Sequence, residues 1–158
     1  MNVESNMADI IHRVGIKASP EKVYQALSTI EGLAGWWTAD TSGVAEVQNT
    51  ITFQFRGPKG TIIGGFDMQV VTQEPAKKVQ WACVKGPEEW VGTTITFELK
   101  QENEFTIVLF GHRNWRESSE FTAHCNTKWG TFLMSLKELL ETGTGKPAPY
   151  DVKIDDWN

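Results

Sequence analysis

The sequence predicts an α+β fold, in which a curved antiparallel sheet of about six strands wraps round one long carboxy-terminal helix. Three observations support this fold class. Several segments alternate apolar and polar residues, as half-buried strands do. The links between those segments are too short for parallel neighbours, which need a dozen or more residues between them. The last third of the chain carries a long amphipathic pattern at helical spacing.

The chain begins its ordered part with a strand at 9–17, where apolar residues occupy alternate positions. Ser19 then offers a helix cap and Pro20 suits the first helical position. Apolar residues recur at spacings of three and four, but Gly32 and Gly35 divide this stretch. The pattern predicts two short helices after the first strand.

Five further segments carry strand signals, and short polar turns separate most of them. A Gly64-Gly65 pair predicts a bulge or a sharp bend in the second segment. The last segment is apolar on both faces, which predicts a position near the centre of the sheet. The five segments are 50–56, 61–74, 77–85, 91–101 and 104–112.

The final element is a helix of roughly 24 residues, about 36 Å long, which begins near residue 118. Gly143 is a good terminator, and the prolines that follow prevent the helix from resuming. Its apolar stripe is too wide to remain in water and must face the sheet. The stripe consists of Phe121, Cys125, Trp129, Phe132, Leu133, Leu136, Leu139 and Leu140.

Composition narrows the class of protein. A net charge of −5 and scattered basic residues argue against a nucleic-acid surface. No stretch approaches the ~18 apolar residues of a membrane span, and the opening residues do not resemble a signal peptide. Cys83 and Cys125 lie in apolar stretches, which predicts buried free thiols. We therefore expect a cytoplasmic protein.

The expected organisation is one domain at 9–149, preceded by a flexible segment at 1–8 and followed by a tail at 150–158. No repeat, low-complexity tract or interdomain linker is visible. The order of elements is strand, two short helices, five strands and a long helix. A helix that leans across a curved sheet tends to leave space at one end, which predicts an internal cavity.

Four segments resemble a known superfamily: IKASPEKVYQAL at 16–27, GWW at 35–37, HCNTKWG at 124–130 and SLKELLETG at 135–143. They are similar to the SRPBCC or START-like helix-grip proteins, and most of all to the group related to the activator of heat-shock protein 90 ATPase. The resemblance implies the helix-grip fold and a cavity for a small apolar or amphipathic molecule. It implies no shared catalytic residues, because the chemistry differs among members.

An unusual number of aromatic side chains falls on or near the inferred inner faces. A dense core and a ligand-binding wall use the same residue types, so each position has both interpretations. The loop at 86–90 has two as well, a lid over the cavity or an ordinary hairpin loop. The candidate ligand-binding residues are Trp36, Phe53, Phe55, Phe66, Met68, Trp81, Trp90, Phe97, Phe110, His112 and Trp129.

Catalytic candidates are few. Strand parity places His112 and His12 on inner faces, where either could act as a general acid or base. The alternative for both, and for His124, is a solvated or hydrogen-bonded structural role. The sequence lacks the phosphate-binding and zinc-ligand spacings, so we expect neither a cofactor nor a metal.

Three functional hypotheses remain from the sequence. The first is binding of a small hydrophobic molecule without chemistry. The second is an enzyme of the cyclase, dehydratase or hydrolase kind that uses a cavity histidine. The third is a module that contacts a protein partner such as a chaperone, as the name of the related group suggests.

Overall fold

A computed structural model of the chain describes residues 8–57 and 59–158. The predicted flexible segment at 1–8 therefore lies, apart from Ala8, outside the described residues. In chain order the elements are β1 (Ala8–Ile16), α1 (Pro20–Ser28), α2 (Ile30–Trp36), β2 (Asp40–Gly43), β3 (Thr50–Arg56), β4 (Ile62–Glu74), β5 (Lys78–Lys85), β6 (Thr94–Glu102), β7 (Phe105–Trp115) and α3 (Glu120–Thr142).

The described strands form a single antiparallel sheet in the order β1-β7-β6-β5-β4-β3-β2. It has seven strands where about six were expected. The additional strand, β2, is a four-residue edge strand, Asp-Thr-Ser-Gly, that pairs with β3 and has no apolar alternation to reveal it. β7 lies between β1 and β6, so it is an interior strand but not at the centre of the sheet.

The turns and caps agree with the local chemistry of the sequence. Ser19 caps α1 by accepting a hydrogen bond from the backbone N–H of Lys22, and Pro20 is the first helical residue. Ser119 caps α3 in the same way, and α3 ends at Gly143, whose φ of 93° favours glycine. The predicted helix boundaries are therefore confirmed within about two residues.

The sheet curves strongly round α3. β1 and β3 are five places apart in the sheet, which would separate them by about 24 Å if the sheet were flat. Yet α3 reaches both strands, since it packs along β1 while its Phe132 ring lies 6.4 Å from Phe55 on β3. A helix only about 10–12 Å wide can do this only inside a curved sheet. The helix-grip fold class is confirmed.

The core lies between α3 and the inner face of the sheet. Leu133 and Leu136 of α3 are fully buried there, and α1 and α2 cover the remaining part of the inner face. The neighbouring residue Met134 is 55% exposed, so one side of α3 faces water. None of the helices in the described ranges is long and apolar enough to cross a membrane.

Candidate functional site

A partly open cavity of ≈ 230 Å³ lies between α3, the β3–β4 hairpin and the loop between β5 and β6. Its lining is mainly aromatic, and α3 supplies one wall. The aromatic lining residues are Trp37, Phe55, Phe66, Trp90, Phe121, Trp129, Phe132 and Trp157. The others are Ile63, Gly64, Gly65, Pro87, His124, Cys125, Lys128 and Asn158.

The aromatic rings support one another. Phe66 stacks on Trp90 with ring centroids 3.9 Å apart, and Trp37 lies 4.9 Å from Trp129. Trp90 and Trp129 are stacked at 6.1 Å across the cavity wall. Rings packed at these distances attract one another beyond their buried area. The walls are therefore ordered before any ligand arrives.

The structure divides the predicted ligand-binding residues into two groups. Four line the cavity: Phe55, Phe66, Trp90 and Trp129. The other seven are buried in the core away from the cavity: Trp36, Phe53, Met68, Trp81, Phe97, Phe110 and His112. The six of these that lie on strands are on the inner face, as parity suggested, but strand parity gives the face and not the position along the strand. The seventh, Trp36, ends helix α2, and its indole N–H donates to the carbonyl of Ala26 at 2.9 Å.

Several lining residues were not among the candidates. Trp37, the neighbour of Trp36, turns its ring to the cavity. Phe121 and Phe132 belong to the apolar stripe of α3, and Lys128 lies three residues after its member Cys125, so helical spacing was a signal that could have found all three. Trp157 comes from the carboxy-terminal tail, where no periodicity connects it to the cavity.

His112 is fully buried, and both of its ring nitrogens have partners. The indole N–H of Trp129 donates to Nδ1 at 3.0 Å, so Nε2 carries the proton and donates to Thr93 Oγ1 at 2.8 Å. The Thr93 hydroxyl in turn donates to the carbonyl of Trp90 at 2.6 Å. Burial lowers the pKa of His112 to about 3. The ring is therefore neutral at physiological pH, and it positions two cavity tryptophans.

The other two histidines have different surroundings. His12 lies where β1 meets α3, with Nε2 3.0 Å from Asn126 Oδ1, and it does not line the cavity. His124 lies at the cavity edge, and its Nδ1 is 2.7 Å from a carboxylate oxygen of Asp155. That contact with His124 holds the pKa of Asp155 below its usual value.

Both cysteines are free and buried, as predicted. Cys125 lines the cavity, where burial raises the pKa of its thiol to about 12. Burial likewise raises the pKa of the Cys83 thiol to about 11. A thiol that is protonated at neutral pH is a poor nucleophile, so we expect the Cys125 side chain to be unreactive towards a bound molecule.

Lys128 is the single Lys or Arg among the residues that line the cavity. Its ammonium group donates to the carboxylate of Asp151, to the carbonyl of Val152 at 2.7 Å and to a backbone oxygen of Asn158 at 3.3 Å. Burial alone would raise the pKa of Asp151, but the hydrogen bonds and charges of Lys128 and Lys153 outweigh it and hold that pKa below its usual value.

The loop at 86–90 forms a wall of the cavity. Pro87 and Trp90 line it, and Trp90 is buried between Phe66 and the aromatic groups behind it. Glu88 points outward and is 3.4 Å from Arg116. Within the described ranges, no three His, Cys, Asp or Glu side chains come close enough to hold a metal ion.

The family model described as Activator of Hsp90 ATPase homolog 1-like protein matches residues 17–141. The chain belongs to this family. The resemblance seen in the sequence is thereby confirmed, and with it the SRPBCC type of fold. None of the curated proteins matches the chain significantly.

Solved structures agree with this fold. The Aha1 dimer from Colwellia psychrerythraea is 51% identical, covers 88% of this chain and 100% of its own, and superposes with a TM-score of 0.78. A Bacillus halodurans protein is 26% identical, with 87% and 99% coverage and a TM-score of 0.68. CalU16 from Micromonospora echinospora, at 16% identity, 93% and 74% coverage and a TM-score of 0.72, shows the fold alone.

The matched family region stops at residue 141, shortly before α3 ends. The cavity of this chain is nevertheless lined in part by Trp157 and Asn158. The carboxy-terminal tail is therefore a part of the site that the family match does not include.

Proposed function

We propose that the chain binds a small hydrophobic or amphipathic molecule in the cavity beside α3, without transforming it. The observation that carries this proposal is the ≈ 230 Å³ space with eight aromatic side chains in its lining. Cavities of about 150 Å³ lined by apolar residues can bind a single benzene ring. The size and lining of this cavity therefore favour a molecule with one or two rings, or a short alkyl chain.

Two titratable groups at the cavity, His112 behind its wall and Cys125 in its lining, favour binding over catalysis. His112 has both nitrogens engaged and cannot take a proton near neutral pH, and Cys125 cannot act as a thiolate. General acid–base catalysis needs a group within hydrogen-bond reach of the reacting atom and a pKa near the working pH. Neither residue offers both, so the enzyme hypothesis has weaker support than the binding hypothesis.

A titration with 3-phenylpropan-1-ol, monitored by thermal unfolding, tests the proposal. A ligand present at 100 times its Kd stabilises a protein by about 2.7 kcal/mol. We expect a concentration-dependent rise in Tm. No rise at any soluble concentration would contradict the proposal.

Gly64 provides a blocking variant for this titration. It lines the cavity, its φ is not positive, and a Cβ placed there would meet no atom within 4 Å. Gly64→Phe should therefore fold while its ring fills the cavity, and the Tm rise should disappear. Val84→Phe is the matched control, since Val84 is 49% exposed and does not line the cavity. Equal Tm rises in both variants would place the binding elsewhere.

A second candidate function is contact with a protein partner. Two observations favour it: the family description names an Hsp90 ATPase activator, and the β3–β4 hairpin exposes two neighbouring apolar residues, Ile62 and Ile63. If this function holds, purified Hsp90 should bind the wild type and lose affinity for Ile62→Ser. No measurable binding to Hsp90 would remove this candidate.

The free thiols of Cys83 and Cys125 agree with a reducing compartment, so we propose the cytoplasm as the location of the protein.

A further inference from the structure

We infer that the cavity takes molecules with an apolar body and a carboxylate head group, and that this head group replaces Asp151 on the Lys128 ammonium. The inference rests on the proposed binding function and adds a ligand class to it. In this scheme the carboxy-terminal tail holds the head-group position when no ligand is bound.

The first support is the placement of charge in the cavity. The ammonium of Lys128 lies 5.0 Å from the centre of the Phe132 ring, which is also part of the lining. The described lining residues include no Asp or Glu, and the carboxylate that pairs with Lys128, that of Asp151, is not part of the lining. An apolar cavity with one cation at its edge is complementary to an amphipathic anion.

The second support is the source of the acceptors around Lys128. Its three acceptors all belong to the tail: the Asp151 carboxylate and the backbone oxygens of Val152 and Asn158. The Asp151 side chain is only 2% exposed, and it also accepts from Lys153 at 3.0 Å and from Asn158 at 3.2 Å. The tail thus brings a carboxylate to a buried lysine, as a bound acid would.

The third support is the weak apolar attachment of the tail. The chain is fixed at Ala148, whose N–H donates to the carbonyl of Trp37 at 2.8 Å and whose carbonyl accepts from Ala39 at 2.9 Å. Beyond that point Tyr150 is 75% exposed, and Trp157, which lines the cavity, is still 51% exposed. Segments with few buried apolar contacts open at low cost. The tail can therefore leave the cavity while α3 and the sheet stay intact.

The exchange is balanced in charge. A buried lysine left without a counter-ion is strongly unfavourable, so a neutral ligand cannot displace Asp151. A carboxylate ligand can, because one ion pair forms as the other separates. A cationic head group would meet Lys128 as a like charge. The site should therefore distinguish ligands of the same size by head group alone.

Isothermal titration with two matched probes tests this inference. The probes are 3-phenylpropionate and 3-phenylpropan-1-ol, which share the ring and the chain length and differ in charge. Asp151→Asn keeps the shape of the side chain and removes the competing charge. We expect this variant to bind the acid at least about tenfold more tightly than the wild type, equivalent to about 1.4 kcal/mol, with the alcohol nearly unchanged.

Lys128→Met supplies the reverse variant. In it the acid should bind no better than the alcohol, because the cation that selects the head group is gone. Equal effects of Asp151→Asn on both probes would overturn the inference and leave the proposed function standing. Failure of both probes to bind any variant, the wild type included, would instead contradict the proposed function. If Lys128→Met does not fold, the comparison between Asp151→Asn and the wild type decides alone.

Discussion

The indole N–H of Trp129 donates a hydrogen bond to Nδ1 of His112 at 3.0 Å, and this bond joins the cavity wall on α3 to β7 of the sheet. Because tryptophan is a donor only, the bond requires His112 to accept at Nδ1 and to carry its proton on Nε2. The histidine that sequence parity offered as a general base is thus placed as a support for the binding wall.

Trp129→Phe should destabilise the fold. The substitution keeps a ring in the wall but leaves Nδ1 of the buried His112 without a donor, which costs about 1–3 kcal/mol. Urea unfolding measures the difference. Trp157→Phe is the control, because Trp157 is half exposed and its ring lies against Phe121 and His124. Equal stabilities for the two variants would contradict the role given to the bond.

Stability should fall between pH 7 and pH 5. An unfolded histidine takes a proton below its ordinary pKa of about 6.5, whereas the pKa of folded His112 is about 3. The contribution of neutral His112 to the free energy of unfolding is therefore fully present above about pH 6.5. It is lost progressively as the pH falls towards 3. At pH 5 the loss from His112 is about 2 kcal/mol.

His112→Gln should remove that part of the pH dependence in urea unfolding, while contributions from the other histidines remain and cancel in the comparison. A wild type and a variant with the same pH dependence would contradict the assignment. An NMR titration gives an independent check, because the His112 ring signals should stay constant between pH 8 and pH 5.

Neighbouring positions on α3 should respond very differently to truncation. Leu133→Ala should cost about 2–5 kcal/mol, because Leu133 is fully buried between α3 and the sheet. Met134→Ala, at a position 55% exposed, should change stability by about 0.5 kcal/mol or less. Urea unfolding of the two variants shows which face of α3 packs against the sheet. Similar losses for both would contradict the packing.

Much of the fold could be predicted because it depends on local patterns. The cap at Ser19, the stop at Gly143 and the alternation along β3 are all written in short segments of sequence. β2 was missed because Asp40–Gly43 is a polar edge strand whose pairing with β3 depends on tertiary contacts.

The cavity was harder to predict than the fold. Parity identified the inner face, but Phe97 and Phe66 share that face while only Phe66 reaches the cavity. The difference depends on which parts of the sheet α1, α2 and α3 cover. That arrangement cannot be inferred from the sequence of any one segment. The contact between Lys128 and Asp151 joins α3 to a tail residue 23 positions away, and neither position carries a motif.

The two cysteines should be protected from alkylation in the native protein. Burial raises the pKa of the Cys83 thiol to about 11 and that of the Cys125 thiol to about 12, so almost no thiolate is present at pH 8. Mass spectrometry after iodoacetamide treatment should show slow labelling of the native protein and rapid double labelling in denaturant. Rapid native labelling of Cys125 would contradict the closed wall.

The most direct test of the central claim, an aromatic-lined binding cavity between α3 and the sheet, is an NMR measurement of intermolecular nuclear Overhauser effects with 3-phenylpropan-1-ol. We expect contacts from the ligand ring to protons of Trp90, Trp129 and Phe132, which line the cavity. Contacts confined to exposed residues such as Ile11, or none at all, would contradict it.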